Sequence, residues 1–145
     1  MTATAPLRHH HQHCDDLFAA AEAAVAREDW GVGQQAVEGF LQEMECHFHC
    51  EEDTLFLAFE RATGMTQGPT QVMRTEHAQM RELMQRMRAA AQCHDADAYA
   101  GEAETLLILM QQHNMKEENI LYPMCDNHVD EGVAEHVRAA LHCEA

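Results

Sequence analysis

Two stretches of the sequence each carry a histidine and a glutamate four positions apart: His47 with Glu51, and His113 with Glu117. On a helix, positions i and i+4 project from one face about 6 Å apart along the axis, at about 1.5 Å per residue. An imidazole so placed can bind one ion while the longer carboxylate reaches sideways to share it with a second. The flanking residues turn both pairs inward. His47 and Glu51 interrupt the apolar series Phe40, Met44, Leu55, Ala58; His113 and Glu117 interrupt Leu106, Leu109, Leu121; and His77 falls between Met73 and Met80. An ionised carboxylate in an apolar interior is very costly, and two facing one another are worse. None of the nine basic residues falls at the centre of these stripes. A metal ion is the natural partner.

The two stretches form an internal repeat 66 residues apart, in which His47, Glu51, Glu52, Leu55 and Phe56 match His113, Glu117, Glu118, Leu121 and Tyr122. Helix breakers then divide the chain into the elements that must carry them. A first helix is predicted from about Leu7 to Glu28, ending at Asp29, Trp30 and Gly31. A second spans Val32 to Ala62, before Gly64 to Pro69. A third, with Pro69 in its first turn, runs to Cys93, and a fourth from Ala98 to Leu121, ending near Tyr122 and Pro123. A short fifth helix, from about Glu131 to His142, caps the set. Short connections make sequential helices antiparallel, so the expected fold is all-α: an up-down-up-down four-helix bundle over about residues 7–123 with a C-terminal cap over 124–145, one metal-binding domain in all. Counted from the turns near Trp30 and His94, His11, His47, His77 and His113 all lie about 17 to 19 residues away, nearly level along the bundle.

Composition agrees and excludes other classes. With 145 residues the chain is one domain in size, and only 3 Pro and 7 Gly accompany abundant Ala, Glu, Gln, Met and Leu. The net charge of −16 repels phosphate backbones and anionic lipid, so neither nucleic acid nor membrane is an expected partner. No apolar run approaches the roughly 20 residues of a membrane span, and residues 1–13 lack the apolar core of a signal peptide; a cytoplasmic location is expected. In such a compartment the six cysteines read as thiols. The 12 histidines are the unusual feature, and metal binding is one of the few roles that enriches this residue. Near the N-terminus His10, His11 and His13 are close competitors for an inward place. His9, His49, His94, His128, His136 and His142 read as surface residues, Glu52 and Glu118 as solvated or supporting groups beside the site.

The motifs His11-x2-Cys14-Asp15-x-Leu17-Phe18, His47-Phe48-x2-Glu51-Glu52-x2-Leu55-Phe56, Glu76-His77 and His113-x3-Glu117-Glu118-x2-Leu121-Tyr122-Pro123 together resemble the hemerythrin-like, or HHE cation-binding, family from about Leu7 to Pro123. The resemblance implies the metal ligands His11, His47, Glu51, His77, His113 and Glu117, with the two glutamates bridging a pair of irons completed by an oxo or hydroxo group. Nitrogen and oxygen donors without thiolate suit iron ahead of manganese or zinc. It further implies a protein that binds dioxygen, or another small diatomic or peroxide ligand, for sensing, storage or delivery. The alternative is an enzyme or iron-handling factor acting on peroxide or nitric oxide, or donating iron for repair. Oxygen-carrying relatives have a further histidine one turn before the position of His77, where this chain has Met73. That departure is expected to leave an exchangeable position at one metal and to make the two inequivalent. Leu57 stands where many relatives have proline.

Overall fold

The computed structural model describes residues 2–141, and the regular elements among them are all helical. Helix α1 is Ala5–Ala26. Helix α2, Trp30–Cys50, continues through a π-helical turn, Glu51–Leu55, into α3, Phe56–Thr63. After α4, Pro69–Gln92, the same event recurs: α5, Ala96–Lys116, continues through a second π turn, Glu117–Leu121, into α6, Tyr122–His128. Helix α7 is Val133–Ala140. Helix α1 packs on α2 and α4 on α5, while α2 meets α4 and α1 meets α5; α7 lies against α1, α2 and the first π turn.

The helix starts lie slightly earlier than the breakers suggest, because the aspartates cap rather than interrupt. Asp29 accepts a hydrogen bond from the Val32 amide and Asp95 one from the Ala98 amide, drawing the helices back to Trp30 and Ala96. The residue before each cap, Glu28 or His94, takes a left-handed backbone with φ of 57° or 55°. The two turns are fastened together. The Trp30 and His94 rings stack with centroids 4.8 Å apart, and Gln34 Nε2 lies 2.8 Å from His94 Nε2.

The larger correction concerns Pro123, which was expected to end the fourth helix. The chain instead continues helically to His128. A proline tolerates the first turn of a helix, where its missing N–H is not needed, and the π turn re-registers the ladder just ahead of it, with the Tyr122 amide donating to Glu117 O. One carbonyl further on, Glu118 O has no N–H at position 123 to meet it, and the Arg8 guanidinium donates to it at 3.1 Å. Arg74 does the same for Glu52 O at 3.0 Å on the other half.

Two apolar clusters fill the interior. One holds Phe18, Phe40, Met44, Phe48, Met80, Met84, Met87, Leu106 and Met110; the other holds Leu7, Leu55, Phe56, Phe59, Met73, Leu121, Tyr122 and Val137. Most of the predicted stripes are buried there, although Ala58 and Leu109 are only partly so. Cys14, Cys50, Cys93 and Cys125 are free thiols. Cys46 is buried and disulfide-bonded, which corrects the reading of all the cysteines as thiols; Cys143 lies outside the described residues.

Removing the Arg8 guanidinium leaves Glu118 O short of a donor beneath a proline. Arg8→Ala should destabilise the protein by about 1–3 kcal/mol, read from urea unfolding. A change within roughly 0.5 kcal/mol, the size of an ordinary surface substitution, would show that the carbonyl finds another partner.

Candidate metal centre

Between the two apolar clusters lies a polar layer. His11, His47, Glu51, His77, His113 and Glu117 are all buried, and Glu51, His77 and Glu117 have no exposed surface at all. Their donor atoms fall into two sets of four that share both glutamates: His11, His47, Glu51 and Glu117 on one side, His77, His113, Glu51 and Glu117 on the other. His11 Nε2 lies 3.1 Å from Glu117 Oε1, His77 Nε2 3.0 Å from Glu51 Oε1, and His113 Nε2 3.3 Å from Glu117 Oε2. The histidine competition at the N-terminus resolves in the same layer. His11 belongs to it, His10 is buried beside it, and the His13 side chain is 51% exposed.

Five atoms of this layer have no hydrogen-bond partner: His47 Nε2, His77 Nε2, His113 Nε2, Glu51 Oε1 and Glu117 Oε2. His77 Nε2 and Glu51 Oε1 are close, yet not aligned for a hydrogen bond. Buried polar atoms are seldom left unpaired, and here they converge from several helices on one place. They are lone-pair donors of the kind that hold a cation, so the residues present fit a metal pair.

The opposite edge of each imidazole is held from outside. His11 Nδ1 meets Glu118 at 2.5 Å, His77 Nδ1 meets Glu52 at 2.7 Å, and His113 Nδ1 meets Glu76 at 2.8 Å. Such partners fix the proton on Nδ1 and leave Nε2 free to face inward. Glu52 is itself gripped by Arg81 at 2.9 and 3.1 Å, and Glu76 by Lys116. His47 differs, since its Nδ1 meets another imidazole, His10 Nδ1, at 2.8 Å. The Tyr122 hydroxyl donates to Glu51 Oε2 at 2.7 Å, with Glu117 Oε1 at 3.2 Å. Glu52 and Glu118 thus support the layer. Glu76, His10 and Tyr122 were given no such part by the sequence, although Glu76 lies 66 positions after His10 and so occupies the matching place in the repeat.

Met73 packs in the apolar cluster beside Leu55 and Tyr122, and Leu7, 66 residues earlier, lies in the same cluster. The two donor sets therefore match in kind, each with two histidines and the shared glutamates. The vacancy expected beside Met73 is not peculiar to one half. What differs between the halves lies around the donors: Tyr122 against Phe56, and His10 against Glu76.

Without an ion, protons take up the charge. Burial opposes ionisation of Glu51, but the charge on His47 together with the contacts to Glu117, His47 and His77 outweighs it and holds the carboxyl well below its usual range. Burial likewise opposes a charged His113, yet the Glu117 carboxylate beside it, with Glu51 and Glu76 behind, raises the imidazole from 6.5 to about 9. His11 and His77 also rise, against burial, through Glu117 and Glu51 respectively.

The hemerythrin HHE cation binding domain model matches residues 2–125. The chain belongs to that family. Searches of curated proteins and of solved structures find no match. Membership makes this a cation-binding domain, and the buried histidine and glutamate cluster fits a metal site. No helix among them is long and apolar enough to cross a membrane.

The proton account carries a sign. A histidine whose folded pKa is raised stabilises the fold fully below its unfolded value and loses that contribution as the pH climbs through the folded one. The metal-free protein should therefore lose stability between pH 6.5 and about 9, by an amount on the order of 3 kcal/mol from His113. The metal-loaded protein, whose imidazoles bind an ion rather than a proton, should not. Calorimetry of chelator-treated and metal-loaded samples across that range checks this, and a metal-free melting temperature that is flat or rises with pH would contradict it.

Proposed function

We propose that the chain is a non-haem di-iron protein of one domain, an up-down-up-down bundle with a C-terminal cap, that works in the cytoplasm. His11 and His47 would hold one iron, His77 and His113 the other, with Glu51 and Glu117 shared between them. The observation that carries this reading is the convergence of five unpartnered buried donor atoms between two matched half-sites. Imidazole and carboxylate without thiolate favour iron over the softer ions. An iron pair, when bound, supplies reversible redox chemistry at which a small molecule can be taken up.

The surroundings suit a small ligand. Each half-site offers four protein donors, fewer than the six of an octahedral ion, so positions remain for exchangeable groups. Beside His11 and His47 lies a void of about 10 Å³, bounded by Met44, Phe48, Met80 and Met110, room for something of the order of one water. Its walls are largely apolar and adaptable, with the polar Asn114 also on the lining. The ligand class is dioxygen or a related diatomic or peroxide, bound for sensing, storage or delivery. One observation favours the alternative, turnover of peroxide or nitric oxide or release of iron for repair. The Tyr122 hydroxyl, hydrogen-bonded to Glu51, places a proton donor at the centre.

Elemental analysis of protein purified without air should find two irons per chain, and Glu51→Ala combined with Glu117→Ala should remove both. Full iron in that double variant would sink the assignment of these six residues. Azide added to the oxidised iron-loaded protein should shift its absorption. A spectrum indifferent to saturating azide would mean that no coordination position is open.

A further inference from the structure

Tyr122 and Phe56 hold matching places in the two halves, 66 residues apart. Their rings stack on His11 and His77 in nearly the same way, with centroids 5.7 and 5.8 Å apart and planes at 17° and 19°. An arginine lies over each ring, Arg8 at 5.3 Å and Arg74 at 5.5 Å. What one half has and the other lacks is a hydroxyl.

That hydroxyl falls on one side of the shared glutamates. Glu51 turns Oε1 towards His77 Nε2 at 3.0 Å and Oε2 towards His47 Nε2 at 3.6 Å. Glu117 turns Oε2 towards His113 Nε2 at 3.3 Å and Oε1 towards His11 Nε2 at 3.1 Å. Each half-site thus has two imidazole nitrogens and one oxygen from each carboxylate. On the His77 and His113 side all four atoms lack a hydrogen-bond partner, whereas on the His11 and His47 side only His47 Nε2 does. The Tyr122 hydroxyl takes up the rest: it lies 2.7 Å from Glu51 Oε2, 3.2 Å from Glu117 Oε1 and 3.3 Å from His11 Nε2. Tyr122 is fully buried, so a hydroxyl displaced from these oxygens loses a charge-assisted hydrogen bond with no water to replace it. The outer supports lean the same way. His77 and His113 each have a carboxylate at Nδ1, from Glu52 and Glu76, while His47 has the His10 ring. A carboxylate in that place strengthens a ligating imidazole.

We propose that Tyr122 makes the two metal positions unequal: the first ion settles between His77 and His113, and the second, between His11 and His47, must displace the hydroxyl and is held more weakly. Tyr122 is a positioning residue, acting through the carboxylates. The void beside His11 and His47 puts the room for a small ligand on the weaker side. The inference rests on the two-metal reading proposed above.

Cobalt(II), next to iron(II) in the first-row affinity series, tests it by calorimetry on the chelator-treated full chain. Wild type should bind in two events separated by about tenfold or more, the scale of one charge-assisted hydrogen bond. Crystals grown with one equivalent should show cobalt-edge anomalous density between His77 and His113. Tyr122→Phe gives this half the side chain that the other half already has; its weaker event should tighten towards the stronger one, which stays as it was. Loss of packing alone would lower the melting temperature without narrowing that gap. His11→Ala should remove the weaker event and keep the stronger, and serves should Tyr122→Phe fold poorly. Equal affinities in wild type, a first cobalt between His11 and His47, a gap unchanged in Tyr122→Phe, or loss of the stronger event in His11→Ala overturns the inequality and leaves the two-metal reading standing. Cobalt absent from the buried layer overturns that reading and the inequality with it.

Discussion

Two glutamates that reach the middle of an otherwise apolar interior set the terms for everything around them. Glu51 and Glu117 are wholly buried, and carboxylates so placed ionise only beside positive charge. The sequence supplies imidazoles rather than arginine or lysine at that depth. Imidazole can answer in two ways, by taking a proton or by giving its lone pair to an ion that carries the charge itself. The unpartnered Nε2 atoms are what support the second answer. The protonated state is what the same cluster falls back on when no ion is there.

The π turns follow from the same demand. Each begins at a buried glutamate, Glu51 or Glu117, and widened turns of this kind are frequent at functional sites. An arginine meets the carbonyl after each of these glutamates, Arg74 at Glu52 and Arg8 at Glu118, the latter where Pro123 offers no N–H. Even the threonines and acids that fasten the far ends obey the offset of 66. Thr4 bonds Asp126 and Thr70 bonds Glu60, so the two halves exchange equivalent partners. The duplication thus places one support of each half-site on the other half, since Glu118 holds His11 and Glu52 holds His77, while His10 holds His47 and Glu76 holds His113 from within the same half.

Much of this was legible because burial interrupts pattern. A histidine or glutamate inside a stripe of Met, Leu and Phe is conspicuous, and the five residues read in that way, with His11 added from the family resemblance, come together in the fold. The helices were legible for the same reason. What escaped notice lies one ring further out. Glu76 and His10 sit off the centre of their stripes, where a polar residue needs no explanation, and their role appears only once sequential helices, α4 with α5 and α1 with α2, are in contact. Nor did the sequence announce the continuation past Pro123, because the compensation comes from Arg8, 115 positions away. Met73 was read as a local loss, whereas Leu7 in the same cluster makes the absence common to both halves.

Anomalous diffraction at the iron edge, from crystals of iron-loaded protein, addresses the central claim directly. The account predicts two peaks per chain, one between His11 and His47 and one between His77 and His113, each within bonding distance of both Glu51 and Glu117. A single peak, or peaks only at exposed histidines with the buried layer lacking anomalous density, would contradict it.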